Sequence, residues 1–258
     1  MFQWNVVWQN LFSSLFLQAA WTTLWLSVVA QLIGVILGLL LALMRMSRNP
    51  VLNLPARFYI WLFRGSPLLV QVYILFTGIP EIFHDKMVTN FLSAYVVILI
   101  AFSLNEGAYM AEIVRAGIES VDTGQMEAAK ALGMRYNLAM RRIVIPQAAR
   151  VVIPPLGNEF NNMLKTTSIA SVIGVQELTG TAQTLGSISF TSFELLIVAT
   201  FYYLILTTLW GYAQRWIENR LDPNRTNSKV EVDDKKNWTQ RMVGFGTRTG
   251  GGTLVGGR

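Results

Sequence analysis

From Leu24 to Met44 the chain carries no charged side chain. A helix needs about 20 mostly apolar residues to cross the hydrocarbon core of a bilayer. In lipid every backbone N–H and C=O must find a partner inside the protein, which leaves helices and closed barrels as spanning structures. This run sits within a longer apolar segment, Leu11–Met44, and four more segments share its character: about Phe58–Ile79, Phe91–Ile118, Val151–Val175 and Phe193–Ile217. In the third, the apolar part ends at Leu104 and is followed by Asn105, Glu106 and Glu112. The expected fold class is an all-α membrane protein with five transmembrane helices. Composition agrees, because 52% of the chain is hydrophobic and 14% charged, against about 25% charged in an ordinary soluble domain.

The cations give the expected orientation. Arg45, Arg48 and Arg57 fall between the first two spans, Lys130, Arg135, Arg141, Arg142 and Arg150 between the third and fourth, and Arg215, Arg220 and Arg225 after the fifth. Met1–Ala20 and Ser171–Ser192 hold no Lys or Arg, and Ile82–Asn90 holds only Lys86. Lys and Arg accumulate in cytoplasmic loops, so the N-terminus is expected outside and the C-terminus in the cytoplasm. The net charge of +6 is thus explained by topology, without the basic, aromatic-interleaved surface of a nucleic-acid reader. No nucleic acid is expected as partner. Cys is absent, which excludes disulfides and Cys-based metal sites, and the single histidine, His84, reads as a loop residue. No cleavable signal peptide is expected, since the first cation, Arg45, follows the first apolar run.

Gly34 and Gly38 in the first span have the Gly-x-x-x-Gly spacing that lets helices approach closely, either within the chain or between subunits. Residues 1–220 are expected to form the membrane domain and 221–258 a polar cytoplasmic tail, whose Gly- and Thr-rich end, Thr247–Arg258, has little to bury. Asn224-Arg-Thr226 and Asn237-Trp-Thr239 match glycosylation sequons, but on the expected inner side they read as unmodified.

The loop between the third and fourth spans is patterned. Met126–Leu132 is rich in helix formers, Gly133 offers the positive φ or close approach that ends a helix, and Pro146 marks the return towards the membrane. A short helix there can dock in a cleft of a soluble partner, with small Ala side chains permitting depth and Glu127 available to a cation. It can equally rest on the bilayer surface. The fourth span is crowded with Asn158, Glu159, Asn161, Asn162, Lys165, Thr166, Thr167 and Ser168. At about 100° per residue, Asn158, Asn162 and Lys165 share a face flanked by Glu159 and Thr166. Polar groups in a span face protein or water, so this face is expected to line a central cavity, either binding substrate charges or forming a gating and packing network. Pro154 and Pro155 are expected to bend or interrupt the helix entry. Arg64 and Arg115 read as snorkelling or gating cations, Glu112 as an i,i+3 partner of Arg115, and Glu106 as a buried partner for a cation elsewhere.

The spacing of Glu127-Ala-Ala129, three residues, Gly133, nine residues and Ile143-Val-Ile-Pro146 resembles the signature loop of ABC importer permeases, with Ile145 where the pattern usually has Leu. Arg64-Gly-Ser-Pro-Leu-Leu-Val-Gln71 and Ala108-Tyr-Met-Ala-Glu-Ile-Val-Arg115 are similar to segments of the polar amino acid permeases. Lys165-Thr-Thr-Ser-Ile-Ala-Ser-Val-Ile173 resembles another, with Thr166 in place of Asp. The resemblance covers roughly residues 15–220.

The resemblance implies a type I ABC importer permease fold in a bacterial cytoplasmic (inner) membrane, multi-pass. It also implies a second permease, identical or related, a pair of ABC ATPase subunits, a substrate-binding protein, membrane lipid and a polar amino acid as substrate. It places the ATPase-coupling contact at Glu127, Ala128, Ala129, Gly133, Arg135, Ile143 and Pro146. Translocation-path candidates are Asn158, Glu159, Asn162, Lys165, Thr166 and Ser168; gating or structural candidates are Arg64, Gln71, Glu106, Glu112 and Arg115. The chain has no Gly-x-x-x-x-Gly-Lys-Ser/Thr phosphate loop. It is therefore expected to be no enzyme, to bind no cofactor, and to leave ATP and Mg to the partner. The alternatives are an ion-coupled secondary transporter or channel, and a non-transporting scaffold.

Overall fold

The computed structural model describes residues 2–84 and 92–221, and the regular structure among them is helical. Helix α1 (Trp4–Leu11) leads into the long α2 (Ser14–Met46), which Ser13 caps by accepting the Phe16 amide at 3.4 Å. α2 sorts its residues as a lipid-facing helix should. Leu32, Ile36, Leu40 and Leu43 are exposed, whereas Leu26, Ala30, Gly34, Gly38 and Leu41 are buried. Its partner is α5 (Ala94–Glu119). A Cβ on Gly38 would lie 2.9 Å from the Ala111 nitrogen, so these two backbones touch where the glycines fall. The small-residue spacing therefore serves packing within the chain. Lipid tails remove the usual hydrophobic drive between helices, which leaves close van der Waals contact to hold them.

Among the described residues, three helices are long and apolar enough to cross a membrane: α2, α5 and α9 (Ser192–Leu221). The expected second span, Phe58–Ile79, is not one straight helix. It divides into α3 (Pro50–Gly65) and α4 (Leu68–Phe83), bent by 104° and together apolar enough to count as a fourth span. Pro67 causes the break, since it has no N–H to offer the carbonyl four residues back and its ring crowds the preceding turn.

The expected fourth span, Val151–Val175, also differs. Tyr136–Ala139 and a π turn at Met140–Val144 run into α7 (Ile145–Thr166), and a 3₁₀ segment, Thr167–Ile173, ends at Gly174 with φ 85°. Pro154 and Pro155 lie inside α7 rather than interrupting its entry. α9 packs on the same stretch, where Gln214 Nε2 donates to the Pro154 carbonyl at 3.3 Å and Trp210 Nε1 to that of Gly157 at 2.8 Å. α7 is too polar to count among the apolar spans, for the reason already visible in its sequence.

α8 (Leu178–Ser189) falls between the expected fourth and fifth spans, where Thr, Gly and Ser mask its apolar spacing. Leu178 and Ala182 pack with Val7, Leu11, Phe16, Leu195 and Val198, tying α1, α2, α8 and α9 together. A second core joins Leu26, Val72, Ile98, Phe102, Met163 and Ile173. The compact unit ends at Gln214. From Arg215 onward the described part is the last turns of α9, where the Arg220 guanidinium stands 4.8 Å from the Trp216 ring centre. Lys86, the two sequons and the polar tail lie outside the described residues.

Candidate functional site

The patterned loop folds as α6 (Thr123–Ala131), which starts three residues before the expected Met126–Leu132 and ends one before it. Asp122 starts it by accepting the Gly124 amide at 2.6 Å. Gly133 ends it with φ 77°. The Met134 amide donates to the Ala129 carbonyl at 3.0 Å and that of Gly133 to Lys130 at 2.9 Å, which is the double bond pattern of a left-handed C-cap. Nothing lies within 4 Å of a Cβ placed on Gly133. Backbone conformation, not crowding, therefore selects glycine. Ala129 is buried, whereas Glu127, Ala128, Gly133 and Arg135 are exposed and Leu132 is 82% exposed. α6 thus presents a carboxylate and a large apolar side chain with no cover from its own chain. Ile143 is half-buried and Pro146 sits in the first turn of α7.

α7 supplies one wall of a cavity of about 650 Å³ that mixes apolar and polar side chains. Glu159, Asn162, Lys165 and Thr166 from α7 meet Asn105, Glu106 and Tyr109 from α5 there. Asn158 does not join them; its Oδ1 accepts from Gln214 Nε2 at 3.1 Å. Nor does Ser168, whose carbonyl takes the Ser171 hydroxyl at 2.7 Å. Glu106 is 5% exposed and its Oε1 has no hydrogen-bond partner. The cation expected beside it is missing: neither it nor Lys165 makes an ion pair among the described residues. An unmatched buried carboxylate oxygen next to open space is where a polar guest or water can be received.

A matching family model, that of the binding-protein-dependent transport system inner membrane component, covers residues 34–223. The chain belongs to this family. Its relatives include the octopine transport system permease protein OccM of Rhizobium radiobacter, 45% identical over 194 residues, 74% of this chain and 79% of that protein. The arginine transport system permease protein ArgU of Corynebacterium glutamicum is 40% identical over 197 residues, 72% of this chain and 61% of that protein. A crystal structure of an amino acid ABC transporter with histidines superposes with a TM-score of 0.74 at 40% identity, over 80% of this chain and 94% of that one. An inward-facing MetNI methionine ABC transporter, at 17% identity and a TM-score of 0.67 over 80% and 96%, shares the fold.

In this permease the break between α3 and α4 is held by Gln71, the last residue of the Arg64–Gln71 segment. Without an amide at Pro67, the Phe63 carbonyl would be orphaned. Gln71 Nε2 and Asn105 Nδ2 both donate to it at 3.0 Å, and Gln71 also reaches the Ser66 carbonyl and hydroxyl at 3.1 and 2.9 Å. Asn105 Nδ2 lies 3.2 Å from Gln71 Oε1. Irregular backbone survives in a membrane protein where side chains satisfy it in this way. Glu112 pairs with Arg115 as its spacing suggests, at 2.9 Å, and also with Arg45, while Arg64 stands 3.8 Å away and over the Tyr109 ring at 5.3 Å.

Sequence reasoning passed over Glu177. It caps α8, accepting the Gly180 amide at 2.7 Å and the Tyr203 hydroxyl at 2.5 Å, fully buried. A carboxylate immediately before Leu178-Thr-Gly was the available signal for a helix start.

Proposed function

We propose that this permease is the membrane half of an ATP-driven importer for polar amino acids. It would work with a second permease, receive its cargo from a binding protein outside, and couple to a separate ATPase through α6. Residues 1–220 would form five spans with the N-terminus outside, α7 being the fourth, and 221–258 a cytoplasmic tail. ATP and Mg belong to the partner subunit, because this chain has no phosphate loop. The observation that carries the reading is α6 itself: Glu127, Ala128 and Leu132 stand exposed on a helix fixed by buried Ala129 and by the left-handed turn at Gly133. A docking helix needs that combination of rigid seat and free face.

The relatives' names, octopine and arginine among them, support an amino acid or amino-acid-derived cargo. The cavity's chemistry agrees, since Glu106, Glu159 and Lys165 offer both signs of charge to a zwitterion. The deciding experiment is substrate-stimulated ATPase activity of the assembled complex carrying Gly133→Asp. The reading expects stimulation and ATPase retention to fall together while the permease still inserts. Full stimulation with the ATPase still bound would end the coupling role of α6.

A further inference from the structure

The ends of α2, α3 and α5 border a second, open cavity of about 700 Å³, lined by Arg45, Arg57, Trp61, Arg64, Tyr109 and Glu112 among others. Its charges do not cancel. Glu112 is already engaged on both oxygens, Oε1 by Arg45 and Oε2 by the Nε and Nη2 of Arg115 at 3.2 and 2.9 Å. The remaining Arg115 nitrogen goes to Glu119. Arg64 lies beyond hydrogen-bond distance of Glu112, at 3.8 Å, and Arg57 makes no ion pair among the described residues. Arg45, Arg57, Arg64 and Arg115 thus face Glu112 and Glu119, an excess of two positive charges. Repulsion of this kind, beside a low-dielectric wall, favours an anion in the space between.

The surroundings specify which anion. On α3, Leu54, Phe58, Trp61 and Leu62 are exposed at helical spacing, and Trp61 is 68% exposed while also lining the cavity. The Phe58 and Trp61 rings lie 5.8 Å apart. An apolar, aromatic helix face beside a cluster of guanidinium groups matches a molecule with an anionic head and hydrocarbon tails. Trp favours the boundary between headgroups and tails, and basic pockets between spanning helices take acidic lipid headgroups. We propose that this cavity binds the phosphate of an acidic phospholipid, with Arg57 and the loosely paired Arg64 as the cations that meet it and the Phe58–Trp61 face against an acyl chain.

The proposal rests on the reading of the chain as membrane-spanning, but not on its cargo or its ATPase. Lipid binding and ATP-coupled uptake are measured separately, so one can fail without the other. The permease, purified from membranes with the subunits it assembles with, is titrated with dioleoyl phosphatidylglycerol and with dioleoyl phosphatidylcholine, and bound lipid is counted by native mass spectrometry. Phosphatidylglycerol should bind in preference. Arg57→Gln and Arg64→Gln should each weaken it about five-fold, from about 1 kcal/mol per cation near a charged lipid surface. Arg57→Lys should retain binding, and Arg142→Gln, at a residue that does not line the cavity, should leave it unchanged. Equal binding of the two lipids, or an equal loss in Arg142→Gln, overturns the site. Displacement of the lipid by inorganic phosphate would make it a free-anion site instead. Loss of the other subunits in both Arg57→Gln and Arg57→Lys would make this face a protein contact. Either result also overturns the proposal.

Discussion

Glu106 occupies the space that a side chain on Gly34 would need. A Cβ at Gly34 would lie 2.5 Å from the Glu106 Cγ and 2.7 Å from its Cβ. The glycine in α2 thus makes room for the buried carboxylate that borders the cavity. Gly34→Ala should cost about 1–3 kcal/mol through overpacking, read as a lower melting temperature of the purified permease. Because the crowding atoms belong to the Glu106 side chain, Gly34→Ala with Glu106→Ala should recover part of the loss, a coupling that a double-mutant cycle measures. Simple additivity would mean that the two residues do not compete for space.

Lys165 and Glu159 stand on the cavity wall without ion-pair partners among the described residues. If they meet the cargo, Lys165→Ala and Glu159→Gln should lower uptake about ten-fold or more, the loss of one charged hydrogen bond, while assembly stays intact. Uptake by proteoliposomes and co-purification of subunits check this together. Normal uptake in both variants removes the direct-binding role, and loss of assembly assigns them to packing.

Gln71 repairs the break that Pro67 makes. Gln71→Leu should leave the Ser66 carbonyl without its side-chain donor and the Phe63 carbonyl with only Asn105, costing about 1–3 kcal/mol. Adding Asn105→Leu should cost more than the sum of the single variants, since either donor alone still serves Phe63. Thermal unfolding in detergent gives both numbers.

Tyr203 donates to the buried Glu177, so Tyr203→Phe should cost about 1.5–3 kcal/mol, as for hydrogen bonds to charged groups. Burial pushes the Glu177 carboxyl above its ordinary value, and the Tyr203 hydroxyl and the amides of Gly180, Thr179 and Leu178 pull it partly back. With the folded value raised, the stability this group contributes is fully present below the ordinary carboxylate range and is lost as pH rises through the raised value. Glu177→Gln should flatten that part of the stability–pH curve, followed by thermal unfolding across acid to neutral pH.

Much of this permease was legible because its elements obey local rules. The uninterrupted run Leu24–Met44 could only be a spanning helix, and Gly133 ended α6 with the positive φ its position suggested. The i,i+3 pair Glu112–Arg115 formed because helix geometry alone brings those side chains together. The α3–α4 break was less legible. Arg64-Gly-Ser-Pro was visible in the chain, yet whether it bends a span or merely kinks it depends on whether Gln71 and Asn105 stand ready to take the Phe63 carbonyl. Pro154 and Pro155 are a like case: both stand in the chain, yet that α7 runs through them with α9 bonded to the carbonyls of Pro154 and Gly157 is visible only in the fold.

Residue order sets the chemistry available: which segments tolerate lipid, where the cations collect, and which loop carries the family's spacing. Which polar groups meet depends on how the helices pack. Asn158 and Glu159 are neighbours in the chain, yet one turns to Gln214 and the other to the cavity. Glu106 meets a cavity rather than a cation, and Arg57 shares a pocket with Arg45 and Arg64. Helix periodicity fixes a residue's direction relative to its own axis. Its environment depends on the rotation and crossing of the neighbouring helices, set by contacts such as Gly34 on Glu106 that no local pattern encodes.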